Sequence, residues 1–130
     1  SLSMVSLYAQ IGCYVPAARA TLPIFDKIFM RIGARDHGSA GLSTFMVEML
    51  DLARILKLAT SKSLILIDEL GRGTAALDGL SIVSAVKEHI VELKAYAVMA
   101  THFSELSDNA TFNLKMAVSG NLVTYRLEPG

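Results

Sequence analysis

The fold of this chain is decided by residues 63–74, which read Ser-Leu-Ile-Leu-Ile-Asp-Glu-Leu-Gly-Arg-Gly-Thr. Four consecutive apolar residues, half of them β-branched, predict a strand that is buried on both faces, as the central strands of parallel sheets are. Asp68 and Glu69 follow this strand directly. Carboxylates are rarely buried without a partner, and open α/β sheets bind their ligands beside the carboxyl ends of the strands. The pair therefore predicts a ligand site at this end of the strand.

The chemistry that fits two adjacent carboxylates here is nucleotide hydrolysis. One carboxylate holds Mg²⁺ through its water shell, and the next orients or deprotonates the attacking water. A charged loop that only ends a strand is the simpler alternative, and the pair alone does not exclude it. Gly71, Gly73 and Gly79 favour hydrolysis, because glycine lets the backbone approach a phosphate or a facing subunit closely. Asp78, just before Gly79, is placed to cap the helix that follows.

Composition predicts one α/β domain. The 130 residues are 52% hydrophobic and 18% charged, which suits a sheet covered by helices. Twelve basic residues balance twelve acidic ones, so any DNA contact is expected in parts of the protein outside these residues. The single Cys13 fits a reducing compartment as a small buried side chain, and no stretch approaches the ~20 apolar residues that cross a bilayer. We expect a soluble, intracellular protein.

The residues before the carboxylates predict a helix, a strand, a loop and a second helix. Residues 1–13 predict a helix, mostly covered by protein and closed by Gly12; because it begins without a cap, we expect that the sequence was cut upstream. Residues 21–33 predict a strand, and residues 35–42 a mobile loop. Ser43 or Thr44 then caps a helix that runs to about residue 60.

The residues after the carboxylates predict a helix, a buried strand and a hairpin. The helix covers residues 80–93, and the strand covers residues 96–100. His102 follows that strand, one strand-helix unit after the carboxylates and at the same sheet edge, where it is placed to reach a phosphate. Alternating residues on either side of 119–121 predict an antiparallel hairpin.

Five segments resemble the MutS family of DNA mismatch-recognition ATPases, relatives of the ABC ATPases. Residues 68–74 with Asp78 and Gly79 resemble its Walker B and D-loop segment, although Ala-Ala-Leu at 75–77 replaces a frequent Ser-Thr-aromatic run. Similar matches occur at residues 10–17, 29–36, 43–49 and 100–103. The resemblance implies an ABC-like P-loop NTPase fold with a largely parallel sheet.

The resemblance also implies a role for each candidate residue. Asp68 would hold Mg²⁺, Glu69 would serve the attacking water, and His102 would sense the γ-phosphate of ATP. Ser43 and Thr44 resemble the signature loop, which presents a hydroxyl and a helix N-terminus to nucleotide bound by the opposing subunit. The remaining nucleotide-binding positions implied are Gly71, Gly73 and Asp78.

The phosphate-binding pattern Gly-x-x-x-x-Gly-Lys-Ser/Thr does not occur in residues 1–130. We therefore interpret the chain as a partial MutS-type ATPase domain, truncated after that loop and inactive as an enzyme on its own. The parent protein would pair with a second MutS-homologue subunit and act on mismatched or branched DNA, in the nucleus if eukaryotic and otherwise in the cytoplasm. The alternatives are an ABC-like ATPase of another DNA-maintenance system and a non-catalytic dimerisation module that lacks the loop.

Overall fold

The computed structural model describes residues 2–32, 44–71, 74–107, 110–119 and 122–130. This part of the chain contains three α-helices, one 3₁₀ turn and five strands. In chain order they are α1 (Leu2–Gln10), β1 (Ile28–Arg31), α2 (Thr44–Leu58), β2 (Leu64–Asp68), α3 (Ala76–Leu93), β3 (Tyr96–Ala100), the 3₁₀ turn Ser104–Ser107, β4 (Leu114–Ser119) and β5 (Leu122–Pro129). The predicted α/β class is confirmed, and the loop predicted at residues 35–42 lies outside the described residues.

The sheet that carries the carboxylates has three parallel strands in the order β1-β2-β3. Leu66 of β2 pairs with Met30 of β1 on one side and with Val98 of β3 on the other. The chain passes from β1 to β2 and from β2 to β3 through segments that contain α2 and α3, as parallel pairing requires. The strands therefore end at one edge, so the residues that follow β2 and β3 are neighbours. The separate pair β4-β5 is antiparallel, which confirms the predicted hairpin.

The hydrophobic core lies between β2 and the two helices α2 and α3. Ile65 is fully buried and Ile67 is 3% exposed. As alternate residues of a strand they share a face, and both helices contribute to the same cluster. The buried members from the helices and the turn after β2 are Leu52, Ile55, Leu70, Val83, Val86 and Ile90.

The prediction that β3 is buried is wrong. Its side chains are exposed except at Met99, which is half-buried against the core. Val98 and Met30, which pair with Leu66 from either side, lie on the opposite face from Ile65 and are 49% and 54% exposed. The apolar residues of a strand indicate that burial would be favourable, but whether the strand is buried depends on other segments of the chain. Among the described residues, α2 and α3 both lie on the Ile65 side of the sheet.

The amino-terminal segment also differs from the sequence prediction. Helix α1 ends as predicted, with Gly12 at φ +79° and the Cys13 amide bonded to the Tyr8 carbonyl at 2.8 Å. Its buried residues are Ser3 and Ser6, while Leu2, Met4, Leu7 and Ile11 are exposed, and Cys13 is exposed as well. The strand predicted over residues 21–33 is confirmed only for Ile28–Arg31.

Asp26 stabilises the turn before β2 through two side-chain hydrogen bonds. Its two carboxylate oxygens accept hydrogen bonds from the Thr60 hydroxyl at 2.6 Å and the Ser63 hydroxyl at 2.8 Å. The Thr60 bond is the main reason that the pKa of Asp26 lies below its ordinary value of 3.8; desolvation opposes this effect, and the Ser63 bond and the charge of Lys27 lower the pKa further. The folded state therefore favours the charged carboxylate.

We expect Asp26→Asn to remove a pH-dependent part of the stability. Because the folded pKa is lowered, this stabilisation is present above the unfolded pKa of about 3.9 and is lost as the pH falls through the folded value. Urea unfolding at a series of pH values from 6 to 3 measures it: the gap between the unmodified protein and Asp26→Asn should narrow as the pH falls below about 4. Asp51→Asn, an exposed aspartate on α2, is the control; a gap that is constant with pH would contradict the prediction.

Candidate nucleotide site

The candidate site begins with Asp68, the last residue of β2. Its backbone pairs with Ala100, the last residue of β3, and its side chain is exposed. Asp68 therefore stands at the carboxyl edge of the central strand, between two neighbouring strands, as the sequence predicts. This is the edge at which ligands of parallel sheets bind.

Glu69 has an unusual backbone conformation. Its φ is +54°, in the left-handed region that residues other than glycine seldom occupy. The Glu69 amide donates to the Ala100 carbonyl at 3.0 Å, so β3 holds the residue in this conformation. Backbone strain of this kind costs roughly 1–3 kcal/mol and concentrates at functional sites. The side chain is half-buried, and its position next to Asp68 is fixed by the sheet rather than by a free loop.

The two described glycines of the motif pack against each other. Gly71 is buried at φ +86°, and a Cβ on it would lie 3.1 Å from the Gly79 Cα. A Cβ on Gly79 would lie only 2.7 Å from the Gly71 carbonyl oxygen. In this structure the pair brings the turn after β2 against the first turns of α3; contact of Gly71 with a phosphate remains a prediction. Gly73 lies outside the described residues.

Helix α3 starts earlier than predicted. Ala75 occupies the N-cap position without a side-chain hydrogen bond, and Asp78 is the third helical residue, so the prediction that Asp78 caps the helix is wrong. Alanine and leucine at 76 and 77 are good helix formers and extend the helix toward its amino end. A carboxylate in the first turn still stabilises the helix through its dipole.

His102 lies across the same edge. Its ring packs on Phe103 with 4.1 Å between ring centroids, and both rings line an open pocket of about 430 Å³ together with Gly71, Thr74 and Ala76. The structure therefore brings the turn after the carboxylates and the segment after β3 to one pocket, as the sequence predicts. Among the described residues, Asp68 and Glu69 are not part of its lining.

The candidate residues before α2 are only partly described. Thr44 is the first residue of α2, which confirms that a helix begins here. Ser43 lies outside the described residues. Roles for Ser43 and Thr44 toward a nucleotide in a second subunit remain predictions.

A buried ion pair between Arg31 and Glu48 was not predicted from the sequence. Arg31 ends β1 and is 8% exposed, and Glu48 of α2 is 6% exposed. The Arg31 Nη2 lies 3.9 Å from the Glu48 Oε1, and the same oxygen accepts a hydrogen bond from the Gly71 amide at 3.4 Å. The sequence does contain a signal for this pair, because Glu48 lies on the same helical face as the apolar residues Phe45, Leu52 and Ile55.

Comparison with known proteins identifies the family of these elements. Residues 1–124 match the family model described as MutS domain V. The DNA mismatch repair protein MutS of Fervidobacterium nodosum is 44% identical over 139 aligned residues, covering 99% of this chain. The DNA mismatch repair protein msh-2 of Neurospora crassa is 54% identical over 107 residues, and MutS of Thermus aquaticus is 53% identical over 105, covering 82% and 81% of the chain. The chain spans 11% to 17% of the length of these relatives.

The described ranges contain no helix with both the length and the apolar character needed to span a bilayer. They also contain no group of three or more His, Cys, Asp or Glu side chains arranged to hold a metal ion.

Proposed function

This chain belongs to the MutS family of DNA mismatch repair proteins, and we propose that it forms part of an ATPase domain with its nucleotide site at the carboxyl ends of β2 and β3. The observation that carries the proposal is Glu69 in a left-handed conformation directly after Asp68 and bonded to the end of β3. A residue in a merely solvated loop needs no such constraint. The substrate proposed is ATP.

Each residue has a separate role in this proposal. Glu69 accepts a proton from the attacking water, since a carboxylate is a competent general base. His102, across the edge, donates a hydrogen bond to the terminal phosphate. Ser43 and Thr44 act from the start of α2 on nucleotide bound by a second MutS-type subunit. Gly71, Gly73 and Asp78 are the remaining positions proposed to contact the nucleotide.

The residues present fit a magnesium ion. Mg²⁺ prefers oxygen ligands and keeps several waters, so it is bound through one or two carboxylates and the phosphates of the substrate rather than through a protein cage. Asp68 supplies one exposed carboxylate, and the described residues form no competing cluster of metal ligands. When bound, the ion neutralises charge on the phosphates, and Asp68 is the residue proposed to hold it.

We expect Asp68→Asn to weaken Mg²⁺-dependent ATP binding by about 10- to 100-fold, the usual effect of removing an outer-shell partner of a metal. The protein tested carries residues 1–130 together with an upstream phosphate-binding loop. Calorimetric titration with ATP, in Mg²⁺ and in EDTA, measures the effect, with Asp51→Asn as the control. Equal dependence on Mg²⁺ in Asp68→Asn and the unmodified protein would rule out this role.

The wider activity proposed is that of the family. The domain would pair with a second MutS-homologue subunit through its ATPase face, and other parts of the protein would bind mismatched or branched DNA. The net charge of zero over 130 residues agrees with a domain that does not itself bind DNA. The rival is a dimerisation module without hydrolysis. Translating the coding sequence upstream of Ser1 separates the two, because an ATPase requires Gly-x-x-x-x-Gly-Lys-Ser/Thr there.

A further inference from the structure

We propose that Glu48 is a positioning residue that ties helix α2 to the turn after the Asp68-Glu69 pair. One carboxylate oxygen, Oε1, contacts both the Arg31 guanidinium at 3.9 Å and the Gly71 amide at 3.4 Å. The contact joins three elements: the end of β1, the second turn of α2 and the turn that follows β2. Its expected effect on turnover rests on the proposed function, whereas the contact itself does not.

The contact of Glu48 with Arg31 and the Gly71 amide is buried. The side chains of Arg31 and Glu48 are each 9% exposed, so neither charge is well solvated. A buried carboxylate needs hydrogen bonds and an opposite charge to offset its desolvation, and the described residues that supply them to Glu48 are Gly71 and Arg31. Replacing a buried ion pair by apolar residues is often neutral for stability. Stability alone therefore does not account for the pair, and the contact of Glu48 with the Gly71 amide points to a positioning role.

The geometry identifies that role. Gly71 is two residues after Glu69, at φ +86° and packed against Gly79, so the turn is held from the α3 side by close contact. Glu48 holds the same turn from the α2 side through the Gly71 amide. Glu48 is also one turn from Thr44, where α2 begins. A shift of α2 would therefore move the backbone beside Glu69. In this way Glu48 links the start of α2 to the turn after β2.

The test separates the hydrogen bond from the charge with two double variants. Removing one partner alone leaves a buried charge, and such single variants are prone to unfold. Arg31→Met combined with Glu48→Gln keeps an acceptor for the Gly71 amide and removes both charges. Arg31→Met combined with Glu48→Met removes the charges and the acceptor. The two proteins differ only beyond the γ carbon of residue 48.

We expect the Glu48→Met double variant to exchange the Gly71 amide hydrogen about 5- to 30-fold faster than the Glu48→Gln double variant, because a buried amide left without its acceptor costs about 1–2 kcal/mol. Hydrogen-exchange mass spectrometry with fragmentation to single residues measures this in the protein that carries the upstream loop. In the same pair, kcat for ATP should be lower by a similar factor in the Glu48→Met variant, with KM little changed. A role in stability alone would leave kcat equal between two folded variants.

Equal Gly71 exchange in the two double variants would overturn the proposal, and so would unequal exchange in two variants that hydrolyse ATP with equal, measurable kcat. If the unmodified protein hydrolyses no ATP, the proposed function fails. The proposed link between α2 and turnover then fails with it, while unequal Gly71 exchange would still support the positioning contact.

Discussion

Glu69→Gln is expected to retain ATP binding and to lose roughly 10²- to 10⁴-fold in hydrolysis, the usual contribution of a general base. The amide side chain can hold a water molecule by a hydrogen bond but cannot accept its proton. Glutamine has the same length as glutamate, and the backbone bond from residue 69 to Ala100 does not involve the side chain. The left-handed turn should therefore survive, and the change isolates the chemistry.

The measurement is single-turnover hydrolysis of ATP, paired with a binding titration, in the protein that includes the phosphate-binding loop. Glu92→Gln is the matched control, because Glu92 is exposed on α3 and its substitution makes the same chemical change away from the site. Hydrolysis at the unmodified rate by Glu69→Gln would show that another group accepts the proton. Loss of binding together with hydrolysis would instead assign Glu69 to holding the nucleotide.

The central strand and the position of the carboxylates were predictable because both depend on local sequence. Four apolar residues need burial on both sides, and the next two residues must then emerge at the edge of the sheet. The position of His102 followed from the same rule applied to the next strand. These parts of the site need only that successive strands pair in parallel, which places their carboxyl ends at one edge of the sheet.

The parts that sequence reasoning missed depend on contacts between distant segments. Burial of β3 was predicted from its apolar residues, but cover on a strand comes from elements elsewhere in the chain. Asp78 was predicted to cap α3, and the helix instead starts at Ala76, because a cap preference competes with the helix-forming residues before it. The Arg31 and Glu48 pair was not predicted because the sequence places Glu48 on an apolar stripe but does not show which opposite charge lies beside it.

The role of the motif glycines is a clear case of the same limit. From sequence, Gly71 and Gly79 predict a backbone that something approaches closely, but the pattern does not identify what approaches. The structure shows that the two glycines approach each other. The close contact fixes the distance between the turn after Glu69 and α3, so the glycines position the carboxylate even without touching a ligand.

Gly79→Ala is therefore expected to destabilise the protein, although alanine is the better helix former. In an open helical position the change would stabilise by about 1 kcal/mol. Here the added Cβ would lie 2.7 Å from the carbonyl oxygen of Gly71, which is backbone and cannot swing aside, and 3.2 Å from the Phe103 ring. Overpacking of this kind costs about 1–3 kcal/mol and outweighs the gain in helix propensity.

Urea unfolding of Gly79→Ala against Ala85→Gly tests this expectation. Ala85 is exposed in the interior of α3, so its change to glycine measures the propensity difference between the two residues without a clash. If the contact with Gly71 were loose, Gly79→Ala would stabilise by about the amount that Ala85→Gly destabilises. We expect both variants to be destabilised instead, and we expect only Gly79→Ala to slow ATP hydrolysis, because only that change displaces the turn that follows Glu69.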